Sequence, residues 1–252
     1  LRERLFLAKA QRENVRRKGL SLQIRNRTMM DFKSLREEVW WVNVQLPKAG
    51  LVTMHSGNAS GIDRERGLVL IKPSGVDYEQ LRPEDLSVVD LSGAIVPAGK
   101  VPDRVSGRLK PSVDTIHHLL LYRKDESLGG IVHTHSNYAT AWAAIGEPIP
   151  CALTAIADEF GGDIPCAPYL DNQGESIANG MIECRGRGPA VLLAGHGVFA
   201  FDRTPRQALK AAIMVEDVAK TMWLARQLGQ IKALPAEEIE KWWARYHSTY
   251  GQ

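Results

Sequence analysis

The amino-acid sequence predicts an α/β fold: a single domain with a central mixed or antiparallel sheet covered by helices. Three observations carry that expectation. Short apolar runs bounded by turn residues recur along the chain, helical patterns lie between them, and the two alternate irregularly instead of in repeated strand–helix–strand units. At 252 residues, with 44% hydrophobic and 24% charged residues, the chain can bury a sizeable core and has an ordinary globular composition.

The first 30 residues stand apart. They hold nine Lys or Arg against two Glu, which leaves the remainder with −4 of a total net charge of +3. Residues 1–29 therefore read as a basic N-terminal extension with three open interpretations: a non-native leader, an appended helix or a targeting segment. The stretch "TMMDFKSLREEV" looks like a native start at Met29 or Met30, and residues 30–252 form the expected domain. The charge of that domain gives no footprint for nucleic acid. No run approaches the roughly 18–20 apolar residues that a bilayer span needs. The N-terminus lacks a secretory apolar centre, so a cytoplasmic protein without membrane contact is expected.

Within the domain, "DFKSLREEVWWVNVQLPKAG" places apolar residues at Leu35, Val39, Val42 and Leu46 and stops at Pro47 and Gly50, which predicts a helix. "LVLIKPSG", "LSVVDLSG", "GGIVHTHS", "IPCAP" and "AVLLAGHGVFAF" read as strands. Helical patterns cover 112–124, 139–145, 173–183 and 205–230, the last with an apolar face suited first to the domain core and second to a subunit interface. "PAGKVPDRVSGRLKPS" is the expected exposed loop. Cys151, Cys166 and Cys184 are odd in number and lack a CxxC pair, so they read as small core residues of a reducing compartment.

The chemistry concentrates at histidines. In a strand, residues i and i+2 share a face, so His133 and His135 would project side by side where "GGIVHTHS" meets a loop. His196, between two glycines in "LLAGHGVFAF", places a third imidazole at a strand edge. Asp114 stands where a helix begins, as a first-turn carboxylate or as a fourth ligand. Three histidines and one carboxylate would suit Zn²⁺, and equally Mn²⁺ or Co²⁺. His117 and His118 read as structural. "HSGNASG", "IKPSG" and "KPSVD" are turns whose backbone N–H groups, hydroxyls and lysines could cradle phosphate.

Together, GNAS, IKPSGVDY, KPSxD, IVHTHS, AGHGxFA and the terminal TYGQ resemble the class II aldolase/adducin family, most closely its L-ribulose-5-phosphate 4-epimerase branch, from Met30 to Gln252. The resemblance implies a homotetramer with a Zn²⁺ held by His133, His135 and His196, and with Asp114 in the acidic ligand position. It also implies a sugar-phosphate substrate contacted by Asn58, Lys72, Ser74, Gly75 and Ser112. Active sites between adjacent subunits are implied too, with Asp158 and Tyr250 entering as proton-transfer groups. Read alone, Asp158 would be a loop or helix-cap carboxylate and Tyr250 an ordinary terminal residue.

The implied reaction is reversible C3–C4 cleavage: the metal stabilises the enediolate, the aldehyde fragment turns over, and C4 is inverted. Three departures bear on this. Val113 replaces a second serine of the phosphate pocket, and Ile156 replaces a histidine two residues before Asp158. The loop around 100–109 is longer and the segment 167–188 shorter, following a more aldolase-like "IPCAPY". Two alternatives stay open: a class II aldolase acting on a ketose 1-phosphate such as L-fuculose 1-phosphate, where related aldolases carry Glu at position 114, and a non-catalytic adducin-like binding domain.

Overall fold

The computed structural model describes residues 31–105, 109–171 and 174–249, so the basic extension 1–29 and Tyr250 lie outside the described residues. From Phe32 onward the chain groups as one compact unit. Its elements follow in the order α1 (Phe32–Lys48), β1 (Asn58–Asp63), β2 (Leu68–Ile71), β3 (Ser87–Asp90), α2 (Thr115–Lys124), β4 (Gly130–Thr134) and α3 (Asn137–Ala144). The second half adds α4 (Thr154–Phe160), β5 (Cys166–Ala167), α5 (Ser176–Cys184), β6 (Ala190–Leu193), β7 (Gly197–Asp202), α6 (Pro205–Leu228) and α7 (Ala236–Ser248). The strands form one sheet in the order β3-β2-β1-β4-β7-β6-β5, antiparallel throughout except for the parallel β5–β6 pair. The expected mixed sheet is what the chain forms.

Helices cover both faces. Alternate strand residues Ala59, Val132, Val198 and Ala200 pack under α1, α3, α4 and α6, through Val42, Trp142, Ile156 and Val215. The opposite face, through Ile62, Ile131, Val191, Phe199 and Phe201, packs under α2 and α5. The long α6 buries Ala208, Leu209, Ala211, Ala212, Val215, Val218, Ala219 and Met222, so its apolar face serves the core. Each buried side chain of leucine or phenylalanine size contributes about 1.5–3 kcal/mol, against about 1 kcal/mol net for a typical hydrogen bond. Hydrophobic burial therefore supplies most of the stabilisation, and buried polar groups set register. Asn43 shows the second role: from α1 its amide donates to Ala59 O (3.0 Å) and accepts from Ala59 N (2.8 Å) beyond the end of the β1–β2 ladder.

Three local expectations are corrected. "HSGNASG" has the composition of a turn, yet from Asn58 it forms the wholly buried strand β1 between β2 and β4. Gly, Ser and Asn are weak strand formers. Here small size decides, because a Cβ on Gly61 would stand 2.6 Å from Val39 Cγ2 of α1 and 2.9 Å from Pro205 Cγ. "AVLLAGHGVFAF" is two strands, β6 and β7, folded back at residues 194–196. The helices α4 and α7 are absent from the sequence expectations, since α4 is only 7 residues long and α7 meets the core only through partly buried residues such as Ile239 and Trp242.

Candidate metal centre

Strand β4 is paired on both sides, with His133 opposite Asn58 of β1 and Phe199 of β7. The alternation that sends Ile131 to the α2/α5 face sends His133 there too, where its ring stacks on Phe199 at 4.3 Å. Its Nδ1 lies 3.0 Å from Val198 O, and because a carbonyl can only accept, the proton sits on Nδ1. That tautomer leaves the buried Nε2, which has no protein partner, with a free lone pair.

The other two imidazoles come to it from turns. His135 follows the end of β4, with its ring 4.7 Å from that of His133. Two glycines bring in His196, whose ring lies 5.0 Å from His133 and 5.2 Å from His135. Gly195 has φ +68°, a left-handed turn that side chains disfavour, and a Cβ on Gly197 would stand 2.5 Å from Thr134 O and 2.6 Å from His135 Cδ2. The ligand atoms of the three rings all lie within 4.8 Å of one another. Desolvation lowers the pKa of His133 to about 3 and also lowers those of His135 and His196, so the three are neutral donors at physiological pH. A dry lone pair on His133 beside two more imidazoles fits a divalent ion that accepts nitrogen ligands.

Asp114 precedes α2 and is buried, but its side chain does not cap that helix. Its Oδ2 accepts from Asn58 Nδ2 at 2.7 Å and from the Ser112 hydroxyl at 3.3 Å. Burial alone would raise its pKa, yet His133, His118 and the Asn58 hydrogen bond together hold it below the usual carboxylate range. The carboxylate lines the same cavity as the three histidines, while the ion-sized cluster itself is the histidine trio.

That cavity, of about 240 Å³, is also lined by Asn58, Lys72, Ser74, Gly75, Ser112 and Val113. The "IKPSG" and "KPSVD" turns reach it as a pair, joined by Ser74 N to Lys110 O (2.9 Å) and Ser112 N to Lys72 O (3.1 Å). Lys72 is buried, with Nζ 3.3 Å from His55 O and 4.6 Å from the centre of the Tyr78 ring. Desolvation pulls its pKa down to about 8 against the opposing pull of Asp77. Sequence reasoning passes over Tyr78 and Phe199. Tyr78 OH donates to Ser56 O and Gly57 O, fixing the turn before β1, and Phe199 is the platform for His133. The only available signals are the place of Tyr78 inside "IKPSGVDY" and the two-residue spacing of Phe199 from Gly197.

Asp158 does not line this cavity. It sits on α4, half-buried, where desolvation raises its pKa against the attraction of Arg245 and His247 from α7. His118, read as structural, is buried and bonded through Nδ1 to Ser60 Oγ at 2.7 Å. No helix among the described residues is long and apolar enough to cross a membrane.

Comparison with known proteins places the fold and the site in context. A structure titled L-fuculose 1-phosphate aldolase is 30% identical, with a TM-score of 0.75 over 86% of this chain and 98% of that one. YgbL from Escherichia coli, provisionally described as an aldolase, epimerase or decarboxylase, is 28% identical, with a TM-score of 0.69 over 84% of this chain and 98% of that one. An L-fuculose-1-phosphate aldolase from Thermus thermophilus is 26% identical, with a TM-score of 0.59 over 77% and 96% of the respective chains. The family model for the class II aldolase and adducin N-terminal domain matches residues 37–223, and the chain belongs to that family.

Proposed function

We propose that the chain is a metal-dependent L-ribulose-5-phosphate 4-epimerase, interconverting L-ribulose 5-phosphate and D-xylulose 5-phosphate by opening and re-forming the C3–C4 bond. One observation carries the reading: three neutral imidazoles converge in a cavity whose other walls are a buried lysine and paired turns rich in N–H and hydroxyl donors. A Zn²⁺, Mn²⁺ or Co²⁺ ion held by His133, His135 and His196, with Asp114 as the acidic fourth ligand, would supply a Lewis acid for the ketose oxygens. Asn58 and Ser112 orient the Asp114 carboxylate.

The remaining roles belong to the chain itself. Lys72 brings charge to the phosphate; Ser74, Gly75, Asn58 and Ser112 offer donors around it, and no lysine Schiff base is needed. As the family resemblance implies, Asp158 and Tyr250 act in this reading from an adjacent subunit of a homotetramer; Asp158 does not line the cavity of its own chain. Each moves a hydroxyl proton on one face of the aldehyde fragment, and inversion at C4 requires one such group per face. Asp at 114 and at 158, with the terminal "TYGQ", favours the epimerase. An aldolase that releases the aldehyde is the second reading, favoured by the 30% identity to the structure titled L-fuculose 1-phosphate aldolase.

The test is to incubate metal-loaded protein with L-ribulose 5-phosphate and, separately, L-fuculose 1-phosphate, following ketose products and free aldehyde together. D-Xylulose 5-phosphate without released aldehyde is the expected result. Aldehyde release from L-fuculose 1-phosphate, with the pentulose untouched, would transfer the assignment to the aldolase.

A further inference from the structure

Outside the lining of the histidine cavity, one buried carboxylate joins three helices. Glu159 of α4 is 6% exposed, and its Oε2 accepts from Lys210 Nζ of α6 at 2.7 Å and from Tyr246 OH of α7 at 2.8 Å. Lys210 Nζ also contacts the Tyr246 hydroxyl and lies 4.9 Å from the centre of its ring. A carboxylate this enclosed is tolerated only when paired and hydrogen-bonded, so the three groups hold one another in place.

A second tie lies one turn away. Gly161 ends α4 in the left-handed conformation, φ +64°, and a Cβ there would fall 2.5 Å from Trp243 of α7 and 2.3 Å from Arg187 Nε. Arg187 donates to Gly161 O at 2.8 Å, pairs with Glu240 and stacks at 4.7 Å over Trp243. Helix α7 packs only partly buried residues, Ile239 and Trp242, against the core, and these side-chain ties to α4 add to that contact.

One of the joined helices carries the proposed proton-transfer group Asp158. Asp158 is the neighbour of Glu159 in α4 and is subject to the charges of Arg245 and His247 of α7. We propose that Glu159, Lys210 and Tyr246 are positioning residues for the epimerase: a three-helix clamp that holds α4 and α7 in one register, so that Asp158 is delivered to the substrate in a fixed place. The inference rests on the epimerase reading. None of the three lines the histidine cavity, so the clamp acts on Asp158 and leaves the metal ligands alone.

The mild variant is Tyr246→Phe, which removes one hydroxyl from a half-buried side chain; Glu159→Gln removes the charge while keeping an acceptor. Each should lower kcat for epimerisation by roughly 10- to 100-fold, the scale of a reacting group displaced by about an ångström. KM and bound metal should not change. Amide hydrogen exchange should quicken in 154–160 and 236–249 and stay unchanged in β4 and β7. In an Asp158→Asn background, Tyr246→Phe should cost nothing further, because the group it positions is gone.

Unchanged exchange in both variants would overturn the clamp. A full additional loss on top of Asp158→Asn, or loss of metal from either variant, would overturn the positioning role in favour of a merely structural one. A wild-type protein without turnover of L-ribulose 5-phosphate would instead overturn the epimerase reading and the positioning role with it, whatever the exchange data show for the clamp.

Discussion

Where the histidine site is built on β4 and β7, central strands with neighbours on both sides, Asp158 sits on a 7-residue helix tied to α7, a helix that buries none of its residues. The first region is fixed by ladder hydrogen bonds, by Phe199 beneath His133 and by glycines that admit no side chain. The second depends on side-chain ties and on the partly buried Ile239 and Trp242. A sheet-borne site is pre-organised before anything binds, and helix-borne groups at the periphery are easier to shift. In the proposed chemistry this division matches the division of labour, since opening the C–C bond is common to epimerase and aldolase while the fate of the aldehyde depends on the peripheral groups.

The sharpest way to break the comparison is His135→Ala. His135 is exposed at the open side of the cluster, so its removal should leave the fold and melting temperature nearly intact. Turnover should fall by roughly 10³-fold or more, the scale of losing a charge-stabilising group, with metal content falling alongside. Tyr250→Phe comes next. A loss of about 10²- to 10⁴-fold in epimerisation is expected for a proton-transfer group, with metal content unchanged by elemental analysis. Equal metal loss in both variants would erase the distinction between the two regions.

Lys72 gives a smaller effect with a defined sign. Its pKa is lowered by desolvation to about 8, so the free protein holds the positive charge below that pH and loses it above. The kcat/KM for a phosphorylated ketose should therefore decline as pH rises through about 8, and Lys72→Met should lower kcat/KM and remove that limb of the profile. Measuring kcat/KM from pH 6 to about 10 in both proteins checks it. The smallest effect is a gain. Val113 is 70% exposed at the cavity wall, and Val113→Ser would restore a hydroxyl beside Ser112. One added hydrogen bond to phosphate, worth about 1 kcal/mol, corresponds to about a fivefold lower KM.

The same contrast governs what is legible in the sequence alone. His133, His135 and His196 are legible because each lies within two residues of an apolar strand or between glycines, and strand periodicity alone puts two of them on one side. The strand carrying Asn58 is not legible, since "GNASG" has turn composition and only contact with Val39 and Pro205 explains its small residues. Pairing of the two proline turns through Ser74 and Lys110 is likewise tertiary, with no local signal. Asp158 and Glu159 are adjacent in sequence, yet one is half-buried beside Arg245 and His247 and the other anchors three helices. Nothing in "TAIADEFGG" distinguishes them, because that difference is made by α6 and α7 from more than fifty residues away.

The central claim is that the three-histidine cavity holds a divalent ion required for turnover. Its most direct test is to strip the protein with a chelator, add Zn²⁺ back in steps, and measure bound metal and L-ribulose 5-phosphate conversion on the same sample. Activity should vanish with the ion and return in proportion to it, saturating at one ion per chain. A well-folded protein that binds no ion, or that converts the sugar equally well after stripping, would contradict the account and favour a binding domain on the same fold.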